Sequence, residues 1–236
     1  MAFAESITDT VRAIAPACAP FRSRAISKDD GHEGFTVRQH PSEGIPLTVA
    51  GQPLLRLAVS YKCTTDGPGH YLAVEESAIK VVADGQSNEP LFRYEYDRNA
   101  VDDMPAAHFQ VHAHRDAFFH VMSRTGEATR RGKRRARSDT MARLDDLHFP
   151  VGGHRFRPCL EDVLEMLVTE FGIDSTPQDR QRLRQGREEW RRKQARAVIR
   201  DAPEEAVAIL RSLGYSVDLP EGTPQPESNA RRLRDF

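Results

Sequence analysis

Residues 91–114 read LFRYEYDRNAVDDMPAAHFQVHAH, two alternating runs separated by a stretch rich in Asn, Asp and Pro. Successive side chains of an extended chain point to opposite faces, so in the second run His108, Gln110, His112 and His114 share one side while Phe109, Val111 and Ala113 share the other. One side is polar and the other apolar, the pattern of a half-buried strand whose outer or cleft-facing surface carries the imidazoles. In the first run Arg93, Glu95 and Asp97 alternate in the same way, on what should be a neighbouring strand.

Working outward, PLLRLAVSYKCTT (53–65), HYLAVEE (70–76) and AIKVVAD (78–84) are rich in β-branched and aromatic residues and are separated by Gly, Pro, Asn and Asp. Together with residues 91–114 they predict an antiparallel meander. Residues 3–14 have the pattern of a short amphipathic helix, and PACAPFRSRAISKDDGHEGF (16–35) has no steady period, which reads as a linker or irregular arm. RDAFFHVMSR (115–124) continues the sheet or turns out of it, and TGEATRRGKRRARSDTMAR (125–143) has almost no apolar residue and reads as a mobile loop. LDDLHFPVGGHRF (144–156) suggests a returning strand with a Gly-Gly turn.

Three helices follow with clear punctuation. Leu160, Val163, Leu164, Leu167, Val168 and Phe171 recur at helical spacing, with Glu161 and Asp162 at the positive N-terminal end and Gly172 to stop the helix. Thr176-Pro177-Gln178-Asp179 is a capping box with proline at the first helical position, opening a helix to about Arg200; Asp201-Ala202-Pro203-Glu204 repeats the device for a helix ending at Gly214. The expected fold is α+β, an antiparallel sheet packed by a helix, with an Arg-rich helical C-terminal extension. Its divisions are an N-terminal helix and irregular arm (1–44), an α+β core (45–172) carrying the basic loop 124–143, a helical extension (173–219) and a disordered tail (220–236).

No apolar run approaches the roughly 18 residues of a membrane span, and the N-terminus lacks a basic start and a sustained apolar segment, so no membrane partner is expected and the cytoplasm is the expected compartment. Three widely spaced cysteines, Cys18, Cys63 and Cys159, indicate neither a disulfide framework nor a CxxC zinc site. The net charge of −1 conceals an asymmetry: residues 124–143 hold eight Lys or Arg against two acids, and residues 178–200 hold nine against three. Such polarity suits nucleic acid, RNA or DNA, or an acidic protein partner, or equally the folding of the basic part onto the chain's own acidic half. Arg130, Arg131, Lys133, Arg134 and Arg135 in the loop are candidate nucleic-acid contacts. So are Arg184, Arg187 and Arg191, which with Arg180 form one stripe at i, i+4, i+7 and i+11. The plainer account of that stripe is a solvated helix face with internal salt bridges to Glu188 and Glu189.

Imidazoles beside arginines are what metal-independent phosphodiester cleavage needs: one proton acceptor for the 2′-hydroxyl, one donor for the leaving oxygen, and guanidiniums for the phosphorane. His108, His112 and His114 are the proton-transfer candidates, with Glu95 to orient or replace the base. Arg93, Arg155, Arg157, His148 and His154 are the phosphate-binding candidates. No cofactor is required by this chemistry. The alternatives are a zinc site on His108, His112 and His114, a histidine-triad-like nucleotide hydrolase, whose HxHxH or HxHxQ order differs from the HxQxHxH found here, and a polar sheet face without chemistry.

FRYEYDR, then the histidine-rich stretch, then LHFPVGGHRFRPCLEDVLEMLVTEFG (147–172) resembles the order of elements in TumE-type toxins of bacterial toxin-antitoxin pairs, which carry an R-Y-D-N element, clustered histidines and a closing helix. The resemblance spans residues 90–172. It implies a growth-inhibiting, RNase-like toxin neutralised by a helix-turn-helix antitoxin. The different-class alternative is a non-catalytic, antitoxin-like regulatory module that binds nucleic acid or protein.

Overall fold

The computed structural model describes residues 2–27, 33–40, 42–65, 72–85, 89–100, 104–112, 149–151 and 153–234. These form one eight-stranded antiparallel sheet with helices against one face, an α+β fold. The strands are β1 (Arg22–Ser27), β2 (Glu33–Arg38), β3 (Ile45–Val49), β4 (Gln52–Thr65), β5 (Leu72–Ala83), β6 (Pro90–Asp97), β7 (Ala107–Val111) and β8 (Phe149–Pro150). Their order is β1-β2-β4-β5-β6-β7-β8, with β3 also paired to β4.

The long strand β4 organises the sheet. Leu55, Leu57, Val59 and Cys63 are buried, and the alternate positions Arg56, Ala58, Ser60 and Lys62 face the other side. One edge of β4 is shared: β3 pairs with Leu55 and Leu57, β2 with Ser60 to Thr64. Between them the buried Gln39 amide donates to Leu57 O at 3.2 Å and accepts from Val59 N at 2.8 Å. A side-chain amide thus replaces a missing strand residue, leaving neither backbone group unpaired. The β3–β4 hairpin turns through Ala50 and Gly51, both at positive φ, as a tight two-residue hairpin loop requires. Asp174 ties this turn down, accepting from Ala50 N and Gly51 N, each at 2.8 Å.

Helices α1 (Ala2–Arg12), α2 (Gly153–Phe156), α3 (Leu160–Phe171), α4 (Pro177–Asp201), α5 (Pro203–Ser212) and α6 (Ala230–Arg234) complete the described chain. Ile7 and Val11 of α1, with Leu160, Val163, Leu164, Leu167 and Val168 of α3, share one core with Leu57, Val59, Ile79, Val81 and Phe92 of the sheet. The expected box of Thr176 and Asp179 bonds reciprocally, and Asp162 accepts from Cys159 N at 3.1 Å, but the box expected at Asp201–Glu204 does not form: Asp201 ends α4 and binds Arg155, and Ala202 caps α5 without a side-chain bond. All three cysteines are free and buried. Among the described residues no helix is long and apolar enough to cross a membrane.

Several regions differ from the sequence expectation. HYLAVEE and AIKVVAD contribute to one strand, β5, and residues 153–156 are the helix α2 rather than part of a returning strand. Residues 16–35 contain β1 and the start of β2, which form a hairpin on the sheet edge rather than an irregular arm. Little of this hairpin is buried, so it shows no clear period; its ladder to β4 is what makes it a strand pair, tertiary context overriding local pattern. The expected tail 220–236 carries α6, tied down by a bond from Asn229 N to Asp201 O at 2.8 Å. The Arg-rich helix α4 does not stand apart as an extension: Leu183 is fully buried in the core, and Arg187 binds Asp162 and Glu165 of α3. The basic loop 124–143 lies outside the described residues.

Candidate functional site

Register decides which of the candidate residues meet. In an antiparallel ladder, directly opposed residues lie on the same face. Tyr94 pairs with Phe109 and Phe92 with Val111, so these side chains share the helix-covered face, where Phe92, Phe109 and Phe171 of α3 cluster with ring centroids about 6 Å apart. Arg93 pairs with Gln110 and Glu95 with His108 on the opposite, polar face.

There the Glu95 carboxylate lies 3.3 Å from His108 Nε2 and 3.2 Å from the Arg93 guanidinium. Arg93 also donates to the Gln110 amide oxygen, and His108 Nδ1 lies 3.2 Å from the Pro105 carbonyl. Burial by itself pushes the Glu95 carboxyl up, but the His108 hydrogen bond and the charges of Arg93, His108 and Lys80 together outweigh it, so the group sits below its ordinary value and is held ionised. The alternation of HFQVHAH is therefore realised, with one difference from expectation: the polar side is not an open surface. His108 is 4% exposed and Gln110 1%, whereas Phe109 on the apolar side is only half-buried. Mutual hydrogen bonding among these polar groups is what makes their burial tolerable.

The other candidates are dispersed. His112 stands four residues beyond His108, about 13 Å along the strand, and its Nδ1 faces Glu89 at 3.5 Å. His114, His148 and the loop residues Arg130, Arg131, Lys133, Arg134 and Arg135 lie outside the described residues. Among the described residues no three His, Cys, Asp or Glu side chains gather as metal ligands.

His154, Arg155 and Arg157 are brought together, but on the wrong face to join Glu95. His154 and Arg157 lie against Tyr96, which follows Glu95 in β6 and so points to the helix side. Arg157 lies over the Tyr96 ring at 3.7 Å and donates to the His154 carbonyl. Arg155 makes a two-pronged contact with the buried Asp201, at 2.6 and 3.2 Å. His154 Nδ1 is 2.6 Å from the Arg232 guanidinium of α6. Because a guanidinium only donates, that nitrogen must be the acceptor. Arg155 and Arg157, expected to bind phosphate beside the histidines, thus contact the protein itself on the face away from Glu95.

The α4 stripe is likewise partly consumed. Arg187 is paired to Asp162 at 2.6 Å and to Glu165, and Arg191 approaches Asp162 at 3.7 Å. The acids are those of α3, not Glu188 and Glu189, although Glu188 does pair with Arg192 at 2.7 Å. Arg184 is exposed and has no ion-pair partner among the described residues.

Sequence reasoning placed Gln110 on the polar side without giving it a role, and passed over Arg232 and the arginines of β1 and β2. Nothing local marks Arg232, 78 residues from its partner. Comparison with family models, curated proteins and solved structures found no match.

Proposed function

We propose that this chain is a nucleic-acid-directed protein, an RNA-cleaving, toxin-like enzyme whose acid-base pair is Glu95 and His108. The observation that carries this reading is one ionised carboxylate in contact with both an imidazole and a guanidinium on the sheet face opposite the core. Glu95 accepts the 2′-hydroxyl proton, the 2′-oxygen bonds to phosphorus, the bond from phosphorus to the 5′-oxygen breaks, and His108 Nε2 delivers a proton to the departing oxygen. The products are a 2′,3′-cyclic phosphate and a 5′-hydroxyl. Arg93 neutralises charge as it gathers on the phosphoryl oxygens. His108 and Glu95 touch at 3.3 Å in the free protein, so this reading requires the substrate to enter between them. The resemblance of residues 90–172 to TumE-type toxins supports the same chemistry and adds a neutralising antitoxin as partner.

The test is RNA cleavage by the full chain in the presence of a chelator. Wild-type protein should cleave and leave cyclic-phosphate ends, and Glu95→Gln should lower the rate by about 10²- to 10⁴-fold. Unchanged cleavage in a Glu95→Gln, His108→Ala double variant sinks the assignment.

One observation favours a second reading. The burial of His108 and Gln110 suits a network that pins β6 to β7 in a non-catalytic, antitoxin-like binding module. That module would bind RNA or DNA without cutting it, and His108→Ala would lower stability more than binding.

A further inference from the structure

A cationic patch on the same polar face, at the far edge of the sheet, was marked by no sequence pattern. Arg22 of β1 is paired directly with Arg38 of β2, and Arg24 lies two residues along the same side. All three side chains are exposed, and none has an ion-pair partner among the described residues. Opposed residues of an antiparallel pair hold their Cβ atoms about 5 Å apart, where like charges are destabilising. No described acid on this face of β1 or β2 offsets that repulsion. An arrangement that costs stability in the free protein, on an open surface, is explained by a polyanion that neutralises it when bound.

The register says where such a polyanion would lead. Arg22, Arg38, Ser60, Ala78, Glu95 and His108 form one transverse row across six strands. The two positions between the arginines and Glu95 are the small side chains Ser60 and Ala78, both only partly buried, so the row is a shallow trough from the cationic edge to the acid-base pair. Three strand spacings separate β2 from β6, roughly 14 Å. Lys80 and Arg93, opposed in the adjoining row, add cations along one wall. No position in these two rows is Phe, Tyr or Trp, and the His108 ring is buried, so bases have no exposed ring to stack on and contact is through the sugar-phosphate backbone.

We infer that Arg22, Arg24 and Arg38 form a docking surface for the phosphate backbone of single-stranded RNA, delivering the strand along the trough to Glu95. This rests on the proposed function but is separable from it. The test measures binding of a labelled, mixed-sequence single-stranded RNA to the full chain over a series of salt concentrations. Combined Arg22→Ala, Arg24→Ala and Arg38→Ala should weaken binding and flatten the slope of log affinity against log salt by about 2, at about 0.7 for each phosphate no longer bound. Arg22→Glu, which converts a repulsive cross-strand pair into an attractive one, should raise the melting temperature while also flattening the slope; it keeps the test decisive if the triple variant folds poorly. An unchanged slope in the variants overturns the inference, as does absence of wild-type binding or equally strong competition by poly-glutamate. Patch-dependent binding without cleavage leaves the docking surface standing and removes only the catalytic reading.

Discussion

Glu95 and Tyr96 are adjacent in sequence, yet each anchors a cluster of histidine and arginine on a different face of the sheet. On the polar face, Arg93, Glu95, His108 and Gln110 hold one another with the carboxylate at the centre, 24% exposed. On the helix face, Tyr96, His154, Arg155, Arg157 and Arg232 are held by aromatic stacking, a backbone carbonyl and Asp201. Both clusters have the composition expected of a phosphate site. In the first a carboxylate contacts an imidazole; in the second the carboxylate of Asp201 contacts a guanidinium. The second joins β6 to α2, α4 and α6, so its guanidiniums serve as fasteners between elements. Residue type does not distinguish a reactive arginine from a structural one; what the guanidinium touches does.

The largest test of this contrast is a double dissociation. Variants of the polar cluster should change activity far more than stability: His108→Gln, like Glu95→Gln, should lose on the order of 10²-fold or more in RNA cleavage, with a melting temperature shift of only a few degrees. Asp201→Ala should do the reverse. It leaves the Arg155 guanidinium without its carboxylate and should cost about 2 to 3 kcal/mol in denaturant unfolding, somewhat less than a fully buried pair because Arg155 keeps partial contact with water. Cleavage per folded molecule should be unaltered. An Asp201→Ala protein that is stable but inactive would mean that the helix-face cluster belongs to the site.

Acid titration sharpens the comparison at an intermediate scale. Glu95 and Asp162 both sit below their ordinary values despite burial, held there mainly by the His108 hydrogen bond for Glu95 and by the Cys159 and Arg187 hydrogen bonds for Asp162. A carboxyl group lowered in the folded state contributes stability that is fully present above its unfolded pKa and is lost as the pH falls through the folded one. Unfolding free energy should therefore be level near neutrality and fall once the pH drops below about 4. Asp162→Asn and Glu95→Gln should each make that fall shallower. A fall of unchanged steepness in both variants would show that neither carboxylate is held by these partners in solution.

The smallest effects distinguish two arginines of one stripe. Arg187→Ala should cost about 1 to 2 kcal/mol, because its side chain is 17% exposed and joins two carboxylates of α3. Arg184→Ala should stay within about 0.5 kcal/mol, as expected for an exposed residue outside any network. If equilibrium unfolding gives equal values for the two, the ion pairs between α3 and α4 contribute nothing.

Much of the fold was legible in the amino-acid sequence. The periods of PLLRLAVSYKCTT, FRYEYD and HFQVHAH mark the meander and sort His108 from Phe109, and the spacing of Leu160 to Phe171 marks the covering helix with its caps. The difficulty began where a residue's partner was distant along the chain. Arg187 faces Asp162, 25 positions away, so a stripe that looks cationic on its own helix is partly balanced by the acids of α3. Residues 22–27 have too little buried surface to show a period and become a strand only by pairing with β2, which is itself laddered to β4.

Local sequence was enough to set the α+β class, the bounds of α3 and α4 and which residues of a strand share a side, because these follow from periodicity and capping within a few residues of one another. Only the assembled sheet and its helices brought Glu95 to His108, put Arg155 and Arg157 behind the sheet, and opposed Arg22 to Arg38. Those outcomes depend on strand register, and sliding a strand by one residue exchanges its two faces. Register is set by side chains far apart in the chain packing into one core, and no local stretch contains that information.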